Sequence, residues 1–93
     1  MEVPASRVGK IRPGQSVLIK LEQYPYQEFG MVRAVVEGVT DVSLDGAYSV
    51  RMRLENGFMT TMLQKINPGP ESKGIAEVTT RDRRILQKIF GRL

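Results

Sequence analysis

The 93-residue chain has no cysteine and no histidine. Those two absences remove disulfides, thiolate nucleophiles, Ser-His-Asp chemistry and every zinc site built on sulfur or imidazole. Tryptophan is also missing, and Tyr and Phe contribute three residues each. No apolar run approaches the roughly 18 residues of a membrane span. The start Met1-Glu2-Val3-Pro4 has neither the basic nor the apolar part of a signal peptide. What remains is ordinary globular material, 41% hydrophobic and 26% charged, which argues against a disordered or low-complexity chain. A chain this short supports one domain with one small core.

The formal charge of +4 is unevenly placed. Residues 81–93 hold Arg81, Arg83, Arg84, Lys88 and Arg92 against Asp82 alone, whereas lysines and arginines balance carboxylates over residues 1–80. A nucleic-acid binder spreads its basic residues over a face, so a basic terminus on a neutral body predicts no nucleic-acid partner.

Nine glycines and five prolines divide the chain into short extended pieces. Arg12-Pro13-Gly14-Gln15 is a turn, because Pro presets φ and Gly accepts a positive φ. After it, Val17, Ile19 and Leu21 alternate with polar neighbours over residues 16–22, the pattern of a half-buried strand. Val32, Ala34 and Val36 share a face of a second strand, and Tyr48, Val50, Met52 and Leu54 alternate strictly along a third. Asp45-Gly46 marks a turn between them. Asn56-Gly57 predicts a tight hairpin returning along residues 58–62. Asn67-Pro68-Gly69-Pro70 breaks the chain again, and residues 74–80 read as a last strand with Ala76 and Val78 inward.

From residue 81 the period changes to that of a helix. Ile85, Leu86, Ile89, Phe90 and Leu93 fall on one helical face over about 81–92, with Thr80 as cap and Asp82 in the first turn. The expected fold is therefore mainly β: a small antiparallel β-barrel of about five to six strands with a short C-terminal α-helix. That basic, amphipathic helix has three readings: docking on the barrel, joining a partner, or facing lipid headgroups through Arg81, Arg84, Lys88 and Arg92.

Glu22, Glu28, Glu37, Asp41, Asp45, Glu55, Glu71 and Glu77 fall mostly on outward faces or in turns, as solubilising charges. No catalytic pair, metal site or cofactor site is predicted, and the chain is not expected to be an enzyme. Asp41-x-Ser43-x-x-Gly46 matches the D-x-S-x-x-G element of PilZ domains, small barrels that bind cyclic di-GMP. Arg7 and Arg12, however, are separated by four residues where that family's arginine pair has three between them. The segment of residues 23–30 concentrates half of the aromatics. Tyr24, Pro25, Tyr26, Phe29 and Gly30 form either a protein-contact loop or a plug of rings at one end of the barrel. Without flanking cations they do not make a base-stacking surface.

Ile11-Arg12-Pro13-Gly14-Gln15, then Val17-Leu18-Ile19-Lys20-Leu21-Glu22-Gln23-Tyr24-Pro25-Tyr26-Gln27-Glu28-Phe29-Gly30, resembles the C-terminal part of HlyD-type secretion proteins, the membrane fusion or periplasmic adaptor family. Asn56-Gly57 with Thr60-Thr61, Gly74-Ile75-Ala76-Glu77-Val78, and Thr80-Arg81-Asp82-Arg83-Arg84-Ile85-Leu86 resemble that family's closing hairpin, last strand and terminal helix. The resemblance covers nearly the whole chain. It implies a non-enzymatic β-barrel domain, a piece of a longer adaptor tethered to the inner membrane and lying in the periplasm. It further implies a homo-oligomeric ring that links an inner-membrane ABC-type or other transporter to a TolC-like outer-membrane channel for export. The membrane helix, lipoyl halves and coiled-coil hairpin of such adaptors lie outside these residues.

Overall fold

The computed structural model describes residues 1–41, 46–69 and 72–91. Six strands run in chain order: β1 (Glu2–Pro4), β2 (Ser16–Leu21), β3 (Val32–Asp41), β4 (Ala47–Leu54), β5 (Ser72–Thr79) and β6 (Arg84–Gly91). Two single helical turns interrupt them, α1 (Ala5–Val8) after β1 and α2 (Tyr26–Phe29) between β2 and β3. All pairings are antiparallel, in the order β1-β4-β3-β2-β5-β6. The sheet curls into a nearly closed barrel, as the alternating pattern predicts.

Alternation decides which side chains face inward. Val17, Ile19 and Leu21 of β2, Val32, Ala34 and Val36 of β3, and Ala76 and Val78 of β5 are buried, and Val3, Ile11, Val50, Ile66, Ile85 and Ile89 complete the core. Register slips between Val36 and Gly38, a bulge that reverses the parity of β3 so that Val39 rather than an even-numbered residue faces Val50. The turn at Arg12-Pro13-Gly14-Gln15 forms with Gly14 at φ +92°, and its ends tie to β3 through Gly14 N–H to Val36 O (2.8 Å) and Val36 N–H to Gln15 O (2.9 Å).

Residues 84–91, inside the segment expected to be helical, are a strand. β6 pairs with β5 over eight residues, from Ser72 opposite Gly91 to Thr79 opposite Arg84. Ile85 and Ile89 stand four apart, a spacing that shares a face at either the helical or the extended period, so the apolar pattern does not separate the two. Backbone pairing does: β5 otherwise ends the sheet with a bare edge, and a helix this short gains little from its own hydrogen bonds. Thr80 clasps the β5–β6 turn instead of capping a helix, with its N–H and Oγ1 both donating to Arg83 O at 2.8 Å.

The hairpin expected after Asn56-Gly57 is also replaced. Gly57 turns the chain at φ +54°, but only isolated bridges follow, among them Met59 with Lys65 and Thr60 with Val32. Part of the free edge of β4 is already occupied, since β1 pairs with Ala47 to Ser49 and Val50 N–H donates to Met1 O. A return strand has only the last residues of β4 to pair with.

Gly74 marks the closest approach between strands. A Cβ there would lie inside van der Waals contact of the Lys20 carbonyl oxygen and 3.1 Å from Leu21 Cα, both backbone atoms of β2. Gly74→Ala is expected to cost at least about 3 kcal/mol, because neither strand can move without breaking the ladder. Gly9→Ala, where nothing lies within 4 Å, should stay within about 0.5 kcal/mol of the parent. Urea unfolding of the two variants checks the contrast; equal midpoints would contradict the close approach.

Candidate functional site

One end of the barrel is built from two irregular segments, residues 22–31 and 55–69. Leaving β2, the chain turns at Leu21 to Tyr24 (Tyr24 N–H to Leu21 O, 3.3 Å) and passes Pro25 into α2. Pro25 suits the position before a helical turn because its φ is already fixed. Gly30 ends the turn at φ +87°, a region disfavoured for side chains. It has no room for one either, since a Cβ would sit 2.8 Å from Thr61 Oγ1 and 2.9 Å from Met62 N.

Polar side chains fasten the second segment to the first. Thr60 Oγ1 donates to Phe29 O and accepts from Met62 N–H and Gln64 N–H at 3.2 Å each. Thr61 Oγ1 accepts from Met31 N–H (3.0 Å), and Thr61 N–H donates back to Met31 O (2.8 Å). Gln64 Nε2 donates to Glu28 O at 3.0 Å. Tyr24 Oη donates to Asn67 O at 3.0 Å. Thr60 is buried, so its hydroxyl supplies partners that backbone groups outside a ladder would otherwise lack.

The five residues of the aromatic segment divide between inside and outside. Tyr24 and Phe29 are half-buried, pack on the core and meet edge to face with centroids 5.2 Å apart. Gly30 is buried, whereas Pro25 and Tyr26 are exposed. Tyr26 is 43% exposed, with Lys20 Nζ 4.8 Å from its ring centroid. Tyr24 and Phe29 thus plug this end of the barrel, while Pro25 and Tyr26 stand outside it on the same string.

Two further apolar residues at this end escape the sequence pattern. Met62 is 53% and Leu63 81% exposed. Leu63 has φ +59°, a left-handed conformation costing a non-glycine residue about 1–2 kcal/mol. The Leu63 side chain is thus held outward on a strained turn. The exposed amides Gln23, Gln27 and Gln64 stand on the same two segments.

The second chemically distinct region is the gap between the barrel's outermost strands, β1 and β6. α1 crosses it: Arg7 Nη1 donates to Leu86 O (3.1 Å) and to Gln87 Oε1 (3.4 Å), and Lys10 Nζ pairs with Asp82 Oδ2 (2.8 Å). The hydrogen bond from Lys10 holds the Asp82 carboxyl below its ordinary range. Arg81, Arg84 and Lys88 are exposed. Arg84 reaches Glu77 at 3.2 Å on the neighbouring strand, and Arg92 lies outside the described residues. Arg7 turns to β6 while Arg12 bonds its own Ile11 carbonyl; Asp41 ends β3, and Ser43 lies outside the described residues. Among the described residues, no three carboxylates gather where they would hold a metal ion, and no helix is long and apolar enough to cross a membrane.

No family model, curated protein or solved structure matches the chain.

Thr60→Val keeps the size of the side chain but strands Met62 N–H, Gln64 N–H and Phe29 O, so it is expected to cost about 2–3 kcal/mol. Leu63→Gly should instead gain about 1 kcal/mol by releasing the left-handed strain. Thermal unfolding reads both; a destabilised Leu63→Gly would show that Leu63 packs rather than projects.

Proposed function

We propose that these residues form the β-barrel domain of a HlyD-type membrane fusion, or periplasmic adaptor, protein. In this reading the domain is non-enzymatic. It belongs to a longer chain tethered to the inner membrane, which assembles as a homo-oligomeric ring. The ring joins an inner-membrane ABC-type transporter to an outer-membrane channel of TolC type, through other domains, for export.

One observation carries the reading. The string in which the resemblance is most distinctive, Tyr24 to Gly30, and one of the downstream elements of that resemblance, Thr60-Thr61, are far apart in sequence yet meet at one end of the barrel through Phe29, Met31 and Gly30. Their junction leaves Tyr26, Met62 and Leu63 outward, beside the amides Gln27 and Gln64 and the charged Lys20, Glu28 and Lys65. Exposed Tyr and Met side chains are enriched in protein contacts. The barrel's role is then to hold a preformed surface against a neighbouring protomer or the transporter.

Antibodies against the domain, used on fractionated cells, should detect a band several times heavier than 10.5 kDa in the inner-membrane fraction. In that full-length protein, replacing Tyr26, Met62 and Leu63 together by Ser should lower recovery of the assembled complex at least about tenfold. The melting temperature of the isolated domain should not fall. A soluble native band near 10.5 kDa, or full assembly by the triple variant, would overturn the reading.

A further inference from the structure

Among the described residues, β6 has one backbone edge that no strand pairs. Its other edge is zipped to β5 along its length, while the outward side is met by the side chain of Arg7, whose Nη1 donates to Leu86 O at 3.1 Å. Alternate residues of an antiparallel edge strand direct both N–H and C=O outward. The Arg7 contact identifies that set as Arg84, Leu86 and Lys88. Leu86 is 54% exposed, and Arg84 and Lys88 are exposed on either side of it.

Beside this edge lies a cleft of about 410 Å³, lined among others by Arg7, Lys10, Arg83, Arg84, Ile85 and Leu86. Its four cations outnumber the carboxylates that reach them, Asp82 with Lys10 and Arg83, and Glu77 with Arg84. Arg7 spends its guanidinium on two neutral oxygens, the Leu86 carbonyl and the Gln87 amide, both weaker partners than a carboxylate.

We propose that this edge receives an extended acidic segment of a partner protein as an added strand. Arg7 exchanges the Leu86 carbonyl for a carboxylate of the segment, whose backbone then pairs with Arg84, Leu86 and Lys88 while its other alternate carboxylates meet Arg84 and Lys88. A second copy of the chain is a poor occupant. Two antiparallel β6 edges would set Arg84 and Lys88 against one another, and β1 offers three residues ending in Pro4. An anionic lipid surface would use the charges but leave the backbone groups unpaired. The inference is independent of the adaptor reading.

The test titrates the isotope-labelled chain with a peptide as long as β6, eight residues, alternating Glu and Val. Saturable shifts of the Arg84, Leu86 and Lys88 amides are expected, with affinity falling as salt rises. Arg7→Ser and Lys88→Ser should each weaken binding about tenfold. The same peptide N-methylated at every second residue should not bind. Equal binding of the methylated peptide, or no saturable shift of those amides, would overturn the proposal. Saturation by phosphatidylserine vesicles that displaces the peptide and depends on Arg7 and Lys88 alike would do the same.

Discussion

A barrel with so few strands must find partners for the backbone wherever the chain leaves its ladders, and here that demand converges on the hydroxyl of Thr60. It donates to Phe29 O and accepts from two amides of its own loop, while its neighbour Thr61 exchanges a pair of bonds with Met31. Each bond adds modestly to stability, but a missing one would leave a buried group unsatisfied. Among the described residues, no buried side-chain nitrogen or oxygen lacks a partner. Two loops become one surface because neither can satisfy itself alone. Gly30 belongs to the same constraint, since any side chain there would push Thr61 and Met62 away.

The core was legible because a strand with one wet face writes its burial into alternate positions. Val17, Ile19 and Leu21, or Val32, Ala34 and Val36, need no other information to be placed inward. The terminal segment was not legible for a reason visible in Ile85 and Ile89, which satisfy both periods. The choice between them rests on an edge of β5 that only the assembled sheet presents. The return strand expected over residues 58–62 fails from the opposite cause. Asn56-Gly57 is a sound local turn signal, and the occupation of the β4 edge by the N-terminal residues is a long-range fact.

The proposed contact surface was half legible. Tyr24 to Gly30 stands out by its aromatics, yet composition does not say that Tyr24 and Phe29 turn inward while Tyr26 turns outward. Met62 ends the return strand expected over residues 58–62 and Leu63 follows it, so neither carries a local mark of exposure. Their exposure follows from the turn that Thr60 organises, and a positive φ at a leucine is not written in any short motif. The basic terminus, conversely, reads in sequence as an amphipathic helix, and the structure makes residues 84–91 a strand. As a strand it brings Arg84 and Lys88 to a sheet edge, which a helix would not.

Structure and proposed role meet in rigidity. A surface that docks a partner without being reordered loses less conformational entropy on binding, and the threonine network holds Tyr26, Met62 and Leu63 on a fixed frame. Amide hydrogen exchange of the intact domain tests this most directly. The account predicts that Met31, Thr61, Met62 and Gln64 N–H groups exchange as slowly as those of β2 and β3, within the global unfolding limit. Exchange of those four at the rate of an open loop, with the strands still protected, would contradict it.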